Sequence, residues 1–139
     1  MRAILIAIGN TLRRDDGAAH RVLQLLGGTR AVVQLTPEIA SEIGAFDRVM
    51  FIDADVNPGE PRIEPIAAAP VSSPLAHVLT PAHVVMLSER LYGFRGNAFL
   101  CRIPGVDFGI GEGLSPQAEA NVASAAALIA AWLHNSFAS

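Results

Sequence analysis

The stretch "ILIAIGNTLRRDDGAAHRVLQLL", residues 4–26, decides how the chain folds. Its isoleucine-rich apolar run, which starts at Ala3 and ends at Ile8, has the pattern of a strand buried on both faces in a parallel sheet. Gly9-Asn10 breaks the run, and two arginines and two aspartates follow. From about Gly17, the spacing of Ala18, Val22, Leu25 and Leu26 predicts one apolar helical face, which Gly27-Gly28 ends. A strand, a tight turn and a helix in that order open an α/β fold. Carboxylates at the mouth of such a turn can cap the helix, hold a metal or activate a water.

The same alternation continues outward from this stretch. A second short strand is predicted over Ala31–Leu35, a helix over Pro37–Ile43 with Thr36 before it, and a third strand over Arg48–Asp53, "RVMFID". "ADVNPGEP" reads as a turn-rich loop and Arg62–Ile66 as an alternating edge strand. "AAAPVSSPLAH" reads as an exposed, mobile loop broken by prolines. Thr80-Pro81 opens a helix that Gly93 closes, Ala98–Ile103 is a fifth strand, and Ser115-Pro116 opens an alanine-rich last helix that ends near Trp132. The pattern predicts a single domain over residues 1–139. Its class is α/β, a three-layer αβα sandwich with a mostly parallel twisted sheet of about five strands. If the first and third strands are neighbours, in a 2-1-3 order, their carboxyl ends lie side by side.

Composition narrows the function classes. The chain has 139 residues, 51% hydrophobic and 17% charged, so it can bury a core and is not disordered. A net charge of −3, with ten arginines and no basic stripe, argues against a nucleic-acid partner. The absence of lysine excludes a P-loop lysine and a Schiff-base lysine. One cysteine, Cys101 in "AFLCRI", excludes an internal disulfide framework and a cysteine-based zinc site, and reads as a small core residue. The first apolar run is too short for a signal peptide, and Val122–Leu133 is too short to span a bilayer. A soluble, cytoplasmic monomer with no membrane partner is expected. The chain has no Gly-x-Ser-x-Gly elbow and no His-Glu-x-x-His helix, so a reaction here would use carboxylates, water and any metal present.

Ligands of open α/β sheets bind beyond the carboxyl ends of the strands. The residues placed there are Asp15 and Asp16, Asp53 and Asp55, His77, and Asp107 with Glu112. Carboxylates and an imidazole could form the shell of a divalent transition metal. Simpler roles compete for each. Asp15 or Asp16 could cap the first helix, Asp53 could cap its turn, and His77 and His20 could be solvated surface residues. His83 and His134 read as structural or exposed, and Ser115 as a helix cap.

Taken in order, the motifs resemble a known family. "GNTLRRDDG" fits Gly-Asn-x-Leu-x-x-Asp-Asp/Glu-Gly, "VMFIDA" is an apolar strand ending in Asp-Ala, "HVLTPAHVVMLSERLYG" is a histidine before a proline-opened helix, and "GIGEGLSP" is a late glycine-rich loop. Over nearly its whole length the chain resembles the hydrogenase maturation proteases. These remove a short C-terminal extension from the large-subunit precursor of NiFe hydrogenases after nickel is inserted. The resemblance implies that Asp16, Asp53 and His77 engage nickel and that Asp16 and Asp53 are the catalytic carboxylates. It further implies that nickel arrives in the substrate as the recognition element, that no tightly bound cofactor of the protein's own is needed, and that the precursor is the partner. Asp16 is expected to point into the cleft, and Asp15 to face away and serve the helix start. One departure is visible: members commonly read Gly-apolar-Gly-apolar after the acids, where this chain has Gly17-Ala18-Ala19-His20. Two alternatives stay open. A peptidyl-tRNA-hydrolase-like enzyme shares the strand turn and a nearby histidine, but calls for a basic surface; a non-catalytic metal-binding α/β module would need no nucleophile.

Overall fold

The computed structural model describes residues 2–70 and 79–135. Within them β1 (Ala3–Ile8) leads through a 3-10 turn (Arg14–Gly17) into α1 (Ala18–Leu25). There follow β2 (Ala31–Val32), α2 (Pro37–Ile43), β3 (Arg48–Asp55), β4 (Arg62–Pro65), α3 (Pro81–Leu91), β5 (Asn97–Pro104) and α4 (Pro116–His134). The five strands form one sheet in the order β2-β1-β3-β5-β4. All neighbours are parallel except β4, which runs antiparallel to β5 at the edge. The 2-1-3 arrangement and the α/β class expected from the sequence are both present.

Strand alternation explains the layers. Ile6 and Ile8 of β1, Val49 and Phe51 of β3, and Ala98 and Leu100 of β5 turn to one face, where Ile39 and Ile43 of α2 and Val84 and Val85 of α3 cover them. Ala7, Met50, Ile52, Cys101 and Ile103 turn to the other face, under Ala18, Ala19 and Val22 of α1 and Val122, Ala125 and Ile129 of α4. Cys101 is fully buried, and burial pushes its thiol up to about 12, so it is a core side chain without nucleophilic character. Among the described residues no helix is long and apolar enough to cross a membrane.

Several boundaries differ from the sequence reading, each for a hydrogen-bonding reason. β2 stops at Val32 because β1 has ended: the Gly9 amide donates to the Val32 carbonyl at 3.0 Å, and beyond it there is no further strand to pair with. β3 runs on to Asp55 because β5 remains alongside, with Asp55 opposite Pro104. The first helix starts at Ala18, as the sequence reading places it, and a 3-10 turn over Arg14–Gly17 precedes it. Thr80 does cap α3, in a reciprocal pair with His83: the Thr80 hydroxyl accepts from the His83 amide and His83 Nδ1 accepts from the Thr80 amide. Thr36 opens α2 without a side-chain cap bond. The part of the expected mobile loop from residue 71 to residue 77 lies outside the described residues.

Candidate active site

The register of β1 and β3 fixes the site. Ile8 pairs with Asp53, so Asp53 stands beside the point where β1 gives way to Gly9. Alternation along β3 places Asp53 on the α2–α3 face, continuing Val49 and Phe51. After Gly9 the chain curls back on itself. Asn10 Oδ1 accepts from the Leu12 amide at 2.9 Å, the Arg13 amide donates to the Asn10 carbonyl at 3.0 Å, and the Asp16 amide donates to the Arg13 carbonyl at 3.0 Å. The turn closes when the Asn10 amide donates to Asp16 Oδ2 at 2.8 Å. Gly9 has φ +150°, and a Cβ there would lie 2.0 Å from the Asp16 carbonyl oxygen, so only glycine lets the turn pack over the strand end.

Asp16 and Asp53 thereby line one cleft of about 300 Å³, together with Gly9, Leu35, Leu79 and Pro81. Its walls are largely apolar, and the effect on Asp53 is large. Burial foremost, and then the charge of Asp16, push the Asp53 carboxyl up from 3.8 to about 6; the Ala54 amide and Arg102 pull the other way and lose. An acid that gains or loses its proton near neutrality can move protons in a reaction.

Asp15 does not serve the start of its own helix. It is fully buried, and its carboxylate takes four hydrogen bonds from the other end of the chain: the amides of Val106 (2.8 Å), Asp107 (3.0 Å) and Ser115 (2.8 Å), and the Ser115 hydroxyl (2.8 Å). Ser115 is the N-cap of α4, its Oγ accepting from the Ala118 amide at 3.1 Å. Asp15 therefore organises the beginning of α4 rather than that of α1. Burial works against its charge, but these hydrogen bonds together outweigh it and hold the carboxyl below 3.8.

Other candidates are structural. Asp55 is buried and satisfied by the Asn57 amide and Arg62, and Asp107 accepts from the Gly109 amide and faces Arg14 at 3.6 Å. His20, expected to be solvated, is half-buried with Nε2 2.7 Å from the Gly9 carbonyl oxygen. His77 lies outside the described residues. Among the described residues no group of three or more His, Cys, Asp or Glu side chains could hold a metal ion. The role of Asp15 was missed because its partners are backbone amides some ninety residues away, which leave no mark in side-chain spacing.

No family model matches the chain, and no curated protein matches it. Solved structures do. The hydrogenase maturating endopeptidase HybD from E. coli superposes with a TM-score of 0.72 at 20% identity, over 98% of this chain and 94% of that one. The hydrogenase maturation protease HycI from Thermococcus kodakarensis KOD1 gives 0.72 at 22%, over 96% and 93%. The maturation protease HybD from Thermococcus kodakarensis gives 0.64 at 22%, over 95% and 99%. The chain has the fold of the hydrogenase maturation proteases.

Asp15 and Asp53 should affect stability in opposite directions. The folded-state Asp15 carboxyl sits below its ordinary value, so its contribution is present above pH 3.8 and is lost as pH falls through the lower folded value. Asp15→Asn turns an NH2 toward N–H donors and is expected to cost about 2–4 kcal/mol at pH 7. Asp53 is held above its ordinary value, so the folded protein keeps a proton that the unfolded chain releases, and stability falls as pH rises from 3.8 to about 6. Asp53→Asn removes that cost and is expected to stabilise the protein by about 1–2 kcal/mol at pH 7. Urea unfolding at pH 7 reads both; two changes of the same sign would contradict this assignment.

Proposed function

We propose that this protein is an endopeptidase that removes a C-terminal peptide from a nickel-loaded NiFe hydrogenase large-subunit precursor, with nickel in the substrate as the recognition element. The observation that carries the reading is the carboxylate pair in one apolar-walled cleft at the strand ends, with Asp53 raised to about 6, in the fold of proteins named as hydrogenase maturation proteases. The relatives' names supply the substrate class, and the cleft supplies the chemistry.

In this mechanism Asp53 is the general base. Above about pH 6 its carboxylate takes a proton from a water as that water attacks the scissile carbonyl, and the proton then passes to the leaving amine. Asp16, anchored through Oδ2 to the Asn10 amide, turns its other oxygen to the cleft and contacts the substrate's nickel together with Asp53. His77 joins them in the reading drawn from the family. The apolar walls at Leu35, Leu79 and Pro81 keep bulk water from the pair and take the side chains of the extended C-terminal segment. Among the described residues no serine or cysteine lines the cleft, which leaves the chemistry to the two carboxylates.

The experiment is incubation of purified protein with nickel-loaded and nickel-free precursor, read by mass spectrometry. Only loaded precursor should lose its C-terminal peptide, with kcat/KM rising as pH increases through about 6. Asp16→Asn and Asp53→Asn should each reduce the rate by about 100-fold or more while remaining folded. Cleavage of nickel-free precursor at the same rate, or full activity in either variant, would contradict the proposal.

A further inference from the structure

One peptide unit beside the cleft is held at both ends. The carbonyl of Gly9 lies 2.7 Å from His20 Nε2, and the N–H of the same peptide, that of Asn10, donates to Asp16 Oδ2 at 2.8 Å. A carbonyl oxygen can only accept, so Nε2 carries a proton and donates. The line runs from the imidazole N–H through the Gly9–Asn10 amide to the carboxylate. Donation to the carbonyl draws electron density toward oxygen and makes the amide N–H a stronger donor, because hydrogen bonds in a chain polarise one another. The unit has little freedom to do otherwise. The Gly9 amide is bound to Val32, and the Asp16 backbone presses on Gly9 so closely that no side chain fits there.

We propose that His20 is a positioning residue for Asp16, acting through the Gly9–Asn10 peptide: it fixes the orientation of that amide and so the direction in which the Asp16 carboxylate meets the cleft. The departure at Gly17-Ala18-Ala19-His20 acquires a reason. Ala18 and Ala19 are fully buried against the sheet, whereas position 20 lies under the strand end, where a long donor reaches back to Gly9. His20 stands between two clefts. On its far side it lines a space of about 310 Å³ with Thr11, Arg14, Arg21, Gln24 and Glu119, while on its near side it holds the peptide whose N–H donates to Asp16 Oδ2. The hydrogen-bond line is a property of the free protein; its bearing on catalysis rests on the protease reading above.

The test uses the full chain, 15N-labelled and without substrate. In the imidazole spectrum of the wild-type protein Nε2 should be a protonated nitrogen; a proton on Nδ1 with a bare Nε2 would overturn the proposal. In His20→Leu, which has no donor, the Asn10 amide proton should move upfield and exchange faster. In His20→Gln, whose side-chain N–H can reach the same carbonyl, it should stay near the wild-type position. Coincident Asn10 resonances in all three proteins would overturn the proposal, and if the leucine variant does not fold, the wild-type tautomer and the glutamine variant decide. With the loaded precursor, His20→Leu should lower kcat by about 10- to 100-fold, with most of it restored in His20→Gln. A wild-type protein that cuts no precursor would sink the protease reading alone, because the resonances are read without substrate.

Discussion

A buried carboxylate that receives three amides and a hydroxyl is the constraint on which the site depends. Residues 105–115 contribute no helix or regular strand of their own, and Asp15 holds both ends of that loop. Backbone bonds add to its grip: the Asp15 amide donates to the Asp107 carbonyl, the Arg14 amide to the Gly111 carbonyl and the Gly111 amide to the Leu12 carbonyl, an isolated bridge between Arg13 and Gly111. The fit is close enough that a Cβ on Gly105 would lie 2.7 Å from Asp15 Cβ. Asp15 and Asp16 are consecutive in a 3-10 turn, where successive side chains point about 120° apart. Once Asp15 is drawn inward to the late loop, Asp16 has to face the cleft. Arg14, just before them, adopts φ +46°, an unfavourable conformation held in place by its surroundings.

The two carboxyls at the centre of the account differ in kind because their surroundings differ. Asp15 is as buried as any side chain in the protein, yet it stays ionised because its oxygens are filled with donors. Asp53 meets apolar walls and the like charge of Asp16, with one backbone amide and the more distant charge of Arg102 too weak to offset them, and it holds its proton to about pH 6. Acids whose surroundings push them in opposite directions are how a fold assigns different roles to the same residue type. In the proposed endopeptidase, the stability given up at Asp53 is the expected cost of holding an acid ready for proton transfer.

The elements that position the site were legible in the sequence because each is a local signal. Ala3–Ile8 reads as a buried strand from its unbroken apolar run, and Thr80-Pro81 and Ser115-Pro116 announce helix starts that the structure places at Pro81 and Pro116. A 2-1-3 order, entertained from the sequence as a condition, puts the ends of the first and third strands side by side; in the structure these strands are adjacent, and Asp16 and Asp53 line one cleft. What escaped was long-range. Asp15 looked like a helix cap because capping is the local use for an acid at that point, and its real partners, at residues 106, 107 and 115, are mostly amides common to every residue. His20 looked solvated because its partner is the carbonyl of Gly9, one turn and a strand end away. The short β2 likewise depends on where its neighbour ends, not on its own residues.

Asp16 and Asp53 form one electrostatically coupled pair in an apolar-walled cleft. That coupling is tested most directly by following the carboxyl carbons of the 13C-labelled protein through a pH titration, in the wild type and in Asp16→Asn. Asp53 should titrate at about 6 in the wild type and fall toward 3.8 when the neighbouring charge is removed, with the part of the shift that burial causes remaining. An Asp53 that titrates at its ordinary value in the wild type, or whose midpoint is the same in the variant, would contradict the account.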